Sequence, residues 1–268
     1  MARFDDKTAV ITGGGGALGG SMAKQLIKEG AHVVLLERSL SLAEKKAKEI
    51  DPEGKSTLCI EADVLNTDSL KEAKTAIVDH FKTVDFLINA AGGNQKGATI
   101  DPDETLFDLS MDAMKSVTDL NLFGTIYPSF VFGEEFARKK KGVILNISSM
   151  AVDRVITRVV GYSASKAAME NFTRSMAVEM ALKFGEGIRV NAIAPGFFIG
   201  EQNRFLLLNK DGSYTDRGES IIRNTPMKRF GEQDEVVGAS LFLLSDEATF
   251  ITGAVLPIDG GFSAFSGV

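Results

Sequence analysis

Three polar side chains in the middle of this chain have the types and spacing of a proton-transfer site. Tyr162 and Lys166 are four residues apart in the segment Tyr-Ser-Ala-Ser-Lys, so they share a face if that segment is helical. A phenol has a pKa of about 10, and an ammonium held nearby favours the phenolate. Ser149 lies thirteen residues before Tyr162, at the end of an apolar run, where its hydroxyl can bind a developing oxyanion. Together they predict proton exchange with a carbonyl or an alcohol, although a Tyr-x-x-x-Lys pair alone also occurs on solvated helices.

A glycine-rich segment near the start of the chain has the pattern of a dinucleotide-binding turn. Thr8–Thr12 is typical of a buried strand, and the segment Thr-Gly-Gly-Gly-Gly-Ala-Leu-Gly, residues 12–19, leads from it into a helical pattern. Glycines let the backbone approach a pyrophosphate, and the first amides of a helix attract its charge. Glu37, eighteen residues beyond the last of these glycines, is placed to accept hydrogen bonds from both adenosine ribose hydroxyls. This predicts NAD in preference to NADP, although Arg38 can pair with a 2′-phosphate.

Short apolar runs alternate with amphipathic stretches rich in lysine and glutamate along the whole chain. This alternation is typical of βαβ units, whose strands are parallel and whose helices cover both faces of the sheet. We therefore expect an α/β fold: a single Rossmann-type, doubly wound parallel sheet of six or seven strands, in one domain over residues 1–268. Helices are predicted over about Ser39–Ile50 and Thr67–Phe81. The predicted strands are Thr8–Thr12, His32–Leu36, Ser56–Glu61, Phe86–Asn89, Gly142–Ile147, Arg189–Ile193 and Val255–Ile258.

The carboxyl ends of parallel strands are where such sheets bind their ligands. Residues 196–226 follow a predicted strand and show only weak periodicity, so we interpret them as a substrate lid; the alternative is an ordinary surface excursion.

Composition excludes several other kinds of protein. Thirty basic and 36 acidic residues give a net charge of −6, which disfavours general attraction to nucleic acid or to an anionic membrane. One cysteine and two histidines are too few for a disulfide or the usual zinc site. No apolar segment reaches the length of a membrane span, and the N-terminus lacks a secretory pattern, so we expect a cytoplasmic protein without a metal.

Seven motifs together resemble the short-chain dehydrogenase/reductase family in order and spacing, over essentially the whole chain. They are residues 12–19, Asn89-Ala-Ala-Gly92, Asn121, Ser149, Tyr162-x-x-x-Lys166, Pro195-Gly196 and Asp259-Gly-Gly261. The resemblance implies one Rossmann-type domain, NAD(P) as the hydride carrier and a homotetramer.

The resemblance also implies roles for individual residues. Tyr162 exchanges the proton, Lys166 binds the nicotinamide ribose and lowers the Tyr162 pKa, Ser149 orients the carbonyl, and Asn121 holds a water of the proton relay. The implied cofactor-binding residues are Gly13, Gly15, Gly16, Ala17, Leu18, Gly19, Glu37, Asp63, Val64, Asn89, Ala90, Ala91, Tyr162, Lys166, Pro195 and Gly196.

Two positions depart from the family pattern. Ala17 stands where the middle glycine of the phosphate-binding turn belongs, which adds one methyl group near the phosphates. Gly200 stands where a threonine commonly bonds the nicotinamide carboxamide, so another group or a water must hold that amide.

Three further segments, around residues 92–97, 194–207 and 259–268, resemble a branch of the family that interconverts D-fructuronate and D-mannonate. A sugar acid needs a cation for its carboxylate and amide-type partners for its hydroxyls. The candidate substrate-binding residues are Asn94, Arg154, Arg158, Asn203 and Arg204, each of which a solvated surface also explains. Apolar lid residues such as Phe197 and Phe198 also fit a cover over a steroid or acyl chain, or simple packing of the lid.

Other functions remain open from the sequence alone. A gluconate 5-dehydrogenase or another polyol or sugar-acid dehydrogenase uses the same residues, as does a 3-oxoacyl-carrier-protein reductase. The latter needs a basic docking patch, and the run Arg138 to Lys141 is the candidate, which we interpret as solvated charge at a helix end. From another class, a catalytically silent dinucleotide sensor can share the fold, but intact Ser149, Tyr162, Lys166 and Asn121 argue against it.

Overall fold

A seven-stranded parallel sheet forms the centre of the molecule in this computed structural model, which describes residues 2–200 and 203–267. The strands lie in the order β3-β2-β1-β4-β5-β6-β7. Their bounds are β1 Thr8–Thr12, β2 His32–Glu37, β3 Thr57–Glu61, β4 Phe86–Asn89, β5 Gly142–Ile147, β6 Ile188–Pro195 and β7 Val255–Ile258. The predicted α/β fold is confirmed. Glu201 and Gln202 of the predicted lid lie outside the described residues.

The sixth strand is longer at both ends than the sequence predicts. Its residues Ala194 and Pro195 pair with Pro257 and Ile258 of β7, so the ladder continues past the predicted end at Ile193. Pro195 lacks an N–H group, and such a residue is tolerated at the end of a strand.

Helices pack on both faces of the sheet and bury two apolar clusters. The helices are α1 Ala17–Lys28, α2 Leu40–Ile50, α3 Thr67–Phe81, α4 Met111–Thr118, α5 Gly124–Lys139, α6 Val160–Phe184, α7 Arg204–Leu207, α8 Asp216–Asn224 and α9 Val237–Leu244. On one face α1, α2 and α9 cover a cluster that contains Met22, Ala43 and Leu241. On the other face α3, α5 and α6 cover a cluster that contains Ile77 and Phe132.

The segment between β6 and residue 226 carries two of these helices, which contribute to a third, small apolar cluster. Leu207 of α7, Ile221 of α8 and Phe230 form its centre. Phe197 packs against this cluster, and its ring meets that of Phe262 edge-on at 5.3 Å between centroids. These apolar side chains therefore contact one another and the C-terminal segment, which favours packing as their role.

Within residues 2–200 and 203–267, no helix is both long enough and apolar enough to cross a membrane. The same residues contain no group of three His, Cys, Asp or Glu side chains arranged to hold a metal ion.

Candidate active site

Four predicted catalytic residues come from three separate segments that meet near the carboxyl end of the sheet. Ser149 lies two residues beyond the end of β5, while Tyr162 and Lys166 lie one turn apart on α6. Asn121 lies between α4 and α5 in a π-helical turn, Asp119–Phe123. Such a turn has one residue more than an α-helical turn, and it is often found at functional sites. The π-turn has no counterpart among the sequence predictions.

Ser149 and Tyr162 are in direct contact. The Ser149 hydroxyl hydrogen-bonds the Tyr162 phenol, and it also accepts a bond from the Ala151 N–H at 3.2 Å. This bond lowers the pKa of Tyr162, but burial acts more strongly in the other direction and raises it above its ordinary value. The phenol of the protein alone is thus held in its protonated form.

Lys166 is placed beneath the tyrosine rather than beside its hydroxyl. Its Nζ lies 5.7 Å from the centre of the Tyr162 ring and donates to the Ile147 carbonyl at 2.6 Å. Lys166 is buried, and burial lowers its pKa to about 8. In this geometry burial of the phenol is the largest influence on the Tyr162 pKa, and the lowering by Lys166 that the resemblance implies stays a prediction.

Asn121 connects this site to the segment after β4. Its Nδ2 donates to the Gly93 carbonyl at 2.7 Å and to the Val117 carbonyl at 2.8 Å, and its Oδ1 accepts from the Gly93 N–H at 3.0 Å. A Cβ atom on Gly92 would lie 2.8 Å from Asn121 Oδ1 and 3.3 Å from Lys166 Nζ. The close packing explains why the Asn-Ala-Ala-Gly turn has glycine at this position.

Glu170 is a buried acid that the sequence motifs did not point to, and it binds the residue before the catalytic serine. Glu170 is 2% exposed, accepts from the Ser148 hydroxyl at 2.7 Å and pairs with Arg174 at 3.1 Å. Ser148 is the residue before Ser149, and Glu170 follows Lys166 by one turn of α6. The spacing of four between Lys166, Glu170 and Arg174 is a signal that was available in the sequence.

The predicted cofactor turn is tightly packed wherever the chain has glycine. Gly13 has a φ of +63°, and a Cβ there would lie 2.8 Å from the backbone of Ala91. A Cβ on Gly19 would lie 2.8 Å from the Gly13 carbonyl oxygen. Ala17, by contrast, is exposed at the start of α1, so its methyl group meets no such obstacle within the protein.

The same turn has the chemistry that a dinucleotide requires. The N-cap of α1 is Gly16, which has no side chain, so no capping side chain satisfies the first amides of the helix. Glu37 at the end of β2 accepts from the Gly15 N–H at 3.2 Å, which places its carboxylate against the turn. Leu18, in the first turn of α1, is partly buried. These residues therefore fit the pyrophosphate and ribose of a bound dinucleotide.

The other predicted cofactor residues line the ends of neighbouring strands. Asp63 accepts from the Leu65 N–H at 2.9 Å, and Val64 is buried beside Gly124. The N–H groups of Ala90 and Ala91 donate to the Thr12 carbonyl and the Thr12 hydroxyl, each at 3.2 Å. After Pro195, the N–H of Gly196 donates to the Ile258 carbonyl at 2.9 Å, and a Cβ on Gly196 would lie 2.7 Å from Asp259 Cα.

Asn89 lies deeper than the other predicted cofactor residues. Its Nδ2 donates to Ser129 at 2.9 Å and to Asn146 Oδ1 at 2.8 Å, and Asn146 in turn donates to Thr173. The side chain of Asn89 is thus part of a buried network between β4, β5 and the helices behind them.

Several predicted substrate-binding side chains are already engaged with the protein. Arg154 donates to the Ser263 carbonyl at 2.7 Å, and Asn203 joins the Gly200 N–H, at 2.8 Å, to the Phe198 carbonyl, also at 2.8 Å. Asn94 donates to Thr99 and Arg158 pairs with Asp101, whereas Arg204 is exposed at the start of α7.

Comparisons with known proteins agree with this arrangement. A family model described as enoyl-(acyl carrier protein) reductase matches residues 15–263. An uncharacterized oxidoreductase of Haemophilus influenzae is 42% identical over 276 residues, covering 99% of this chain and 96% of that protein. The uncharacterized oxidoreductase UxuB of Bacillus subtilis is 42% identical over 271 residues, covering 98% and 96%.

A solved structure is similar over the entire chain. It is that of a Haemophilus influenzae protein provisionally named D-mannonate oxidoreductase, with bound NAD. The two structures have a TM-score of 0.93 at 41% sequence identity, covering 100% of this chain and 98% of the other. This chain therefore belongs to the short-chain dehydrogenase/reductase family, as an oxidoreductase that acts on an alcohol or ketone with a nicotinamide dinucleotide.

Proposed function

We propose that this protein uses NADH to reduce the C5 ketone of D-fructuronate to the alcohol of D-mannonate, and that it also catalyses the reverse reaction. The contact between Ser149 and Tyr162, with Lys166 beneath the ring, carries the reaction type. The choice of substrate is supported by the 41% identity to the NAD-bound relative that bears the D-mannonate name.

The residues divide the reaction between them. When bound, NADH supplies the hydride to the carbonyl carbon, or NAD accepts it in the reverse direction. Tyr162 donates its phenolic proton to the carbonyl oxygen, and Ser149 donates a hydrogen bond to the same oxygen as negative charge develops there. Burial keeps the phenol protonated, which suits proton donation in the direction of reduction. Lys166 then stabilises the phenolate with a buried ammonium, and Asn121 holds the water that returns the proton.

NAD is the proposed cofactor because of Glu37. Its carboxylate lies against the glycine turn, where it accepts hydrogen bonds from the ribose hydroxyls and repels a 2′-phosphate. Arg38 is exposed. In this proposal its charge does not outweigh the preference for NAD over NADP that Glu37 gives.

The segment 196–226 is the proposed lid over the substrate. Asn203 fixes its first turn, and Arg154 fixes the C-terminal segment through the carbonyls of Ser263 and Phe265. In this proposal these two side chains shape the site through the backbone, while Asn94, Arg158 and Arg204 meet the polar groups of the sugar acid.

The charge distribution supports a carrier-protein substrate less well than it supports a sugar acid. Arg138 pairs with Glu135, and Lys139 bonds Thr83, the Val84 carbonyl and Asp85. This basic run joins α5 to the start of β5, at the opposite end of the sheet from Ser149. It is therefore poorly placed to dock a partner that delivers its acyl chain to Tyr162.

A homotetramer is the proposed assembly, supported by apolar side chains exposed on two separate faces. Phe130 of α5 and Val178 and Leu182 of α6 are 59%, 55% and 75% exposed. Leu256 on the outermost strand, β7, is 38% exposed, and Phe250 near it is fully exposed. If each of these two faces pairs with its own copy, the result is a tetramer with D2 symmetry. The cytoplasmic location stays a prediction from the sequence.

The first expected outcome concerns the substrate. NADH consumption should be fastest with D-fructuronate in a panel that also contains other keto-acids, a neutral ketose and a β-ketoacyl thioester. Fastest turnover of the thioester would overturn the sugar-acid assignment. Cofactor binding without turnover of any ketone would favour a dinucleotide sensor.

The second concerns the proton donor. Tyr162→Phe removes the hydroxyl but keeps the ring over Lys166, so kcat should fall by about 10²–10⁴-fold while the Kd for NADH, followed by fluorescence, changes little. Tyr127→Phe on α5 is the matched control and should retain wild-type kcat. Retention of kcat by the Tyr162 variant would remove this residue from the mechanism.

The third concerns cofactor choice. Glu37→Gln keeps the size of the side chain and an acceptor for the Gly15 N–H but removes the charge. We expect kcat/KM for NADH to fall by about 10-fold or more, and that for NADPH to rise, because hydrogen bonds to a charged group are the stronger ones and the repulsion is lost. Glu61→Gln, at the paired position of β3, is the control. An unchanged NADH/NADPH ratio would contradict the role of Glu37.

The fourth concerns assembly. Leu182→Glu places a charge on the α5–α6 face and should convert tetramers into dimers in sedimentation velocity. Leu42→Glu changes another exposed leucine, on the opposite side of the sheet, and should leave tetramers intact. Monomers in the wild-type protein at micromolar concentration would contradict the proposal.

A further inference from the structure

Arg217 is a cation in the proposed lid that none of the sequence motifs singled out. It is the second residue of α8 and is partly buried, yet it forms no hydrogen bond or ion pair with any residue in the described ranges. Its helix is firmly placed: Thr215 caps the first turn by accepting from the Gly218 N–H at 3.1 Å, and the Thr215 N–H donates to the Leu207 carbonyl at 3.0 Å.

A second arginine, Arg158, lies near enough for its charge to lower the pKa of Arg217, and its own side chain is held by hydrogen bonds. Arg158 donates to the Ile100 carbonyl at 2.5 Å and to Asp101 at 3.1 Å, and the Ile100 N–H donates back to the Arg158 carbonyl at 3.0 Å. Arg158 has a φ of +78°, a left-handed conformation that these contacts maintain. Asp101 balances the charge of Arg158. The charge of Arg217 has no such partner among the described residues.

The surroundings of Arg217 oppose its positive charge. Burial and the neighbouring charge of Arg158 both lower the pKa of Arg217, and no acid among residues 2–200 and 203–267 acts in the other direction. The acids of the same turn, Asp216 and Glu219, are exposed. A half-buried guanidinium beside another cation is unfavourable unless an anion joins them, and a carboxylate fits its planar fork with two parallel hydrogen bonds.

Arg158 and Arg217 lie on segments that start from the same edge of the sheet as the catalytic residues. Arg158 lies four residues before Tyr162, in the connection from β5 to α6, and α8 follows the carboxyl end of β6. Both guanidinium groups thus belong to segments that leave the sheet at the edge where Ser149 and Tyr162 meet. In D-fructuronate the carboxylate is separated from the ketone by three hydroxyl-bearing carbons, so it must bind away from the tyrosine.

We propose that Arg217 binds the carboxylate of the substrate, with Arg158 as a neighbouring cation, and so makes the enzyme specific for keto-acids over neutral ketones. This inference rests on the proposed function in its choice of a carboxylated substrate. It assigns the carboxylate to one residue of the lid.

The test compares Arg217→Gln with Arg223→Gln, an exposed arginine on the same helix. We expect kcat/KM for D-fructuronate to fall by about 10- to 100-fold in the Arg217 variant, mainly through KM, because charged hydrogen bonds are lost. The rate with a neutral ketose and the Kd for NADH should change less than about twofold, and Arg223→Gln should resemble the wild type. Thermal melting of both variants, together with Arg217→Lys, detects a loss of folding.

The outcomes separate this inference from the proposed function. If the wild type reduces D-fructuronate and Arg217→Gln keeps its kcat/KM, the inference is wrong and the function stands. If the wild type reduces a different keto-acid and the variant loses that activity, the inference stands and the choice of D-fructuronate is wrong. Reduction of neutral ketones alone by the wild type would overturn both.

Discussion

The hydrogen bond from Lys166 to the Ile147 carbonyl ties α6 to the end of β5, and the geometry of the site depends on it. The bond lies in a buried place, where an ammonium is costly, as its lowered pKa of about 8 reflects. By fixing one turn of α6 against the last residue of the strand, it brings Tyr162 to the hydroxyl of Ser149. The charge that serves the chemistry therefore also sets the distance between the helix and the strand.

Buried polar contacts beneath the site extend the same constraint into the core. Glu170 joins Ser148 to α6, and the chain of bonds from Asn89 through Asn146 to Thr173 joins β4 and β5 to that helix. Buried polar groups specify geometry because an unsatisfied partner is costly, so the strand ends cannot shift in register without breaking these bonds. Apolar packing alone tolerates such a shift more readily.

The sequence predicted what depends on local pattern and missed what depends on distant neighbours. Strand bounds such as Phe86–Asn89 follow from apolar runs, and the spacing of Tyr162 and Lys166 follows from helical periodicity. The direction of the Tyr162 pKa shift depends on burial by the whole fold, and the contact between Glu170 and Ser148, 22 residues apart, exists only in the folded chain. Arg154 was predicted at the substrate, but its donors reach carbonyls 109 and 111 residues away, which no local pattern encodes.

The cofactor end and the substrate end of the proposed site carry opposite charges. At the cofactor end, Glu37 places a carboxylate against the turn that approaches the phosphates, so an additional phosphate is disfavoured there. At the substrate end, Arg154 is committed to the C-terminal segment and Arg158 to Asp101, which leaves Arg217 as a partly buried cation without a partner among the described residues. A cation already paired within the protein must break that pair before it binds a ligand, whereas an unpaired one gains on binding. For this reason the choice among the lid arginines follows from which of them is both partly buried and unpaired among the described residues. Arg204 and Arg223 are exposed, so water solvates their charges.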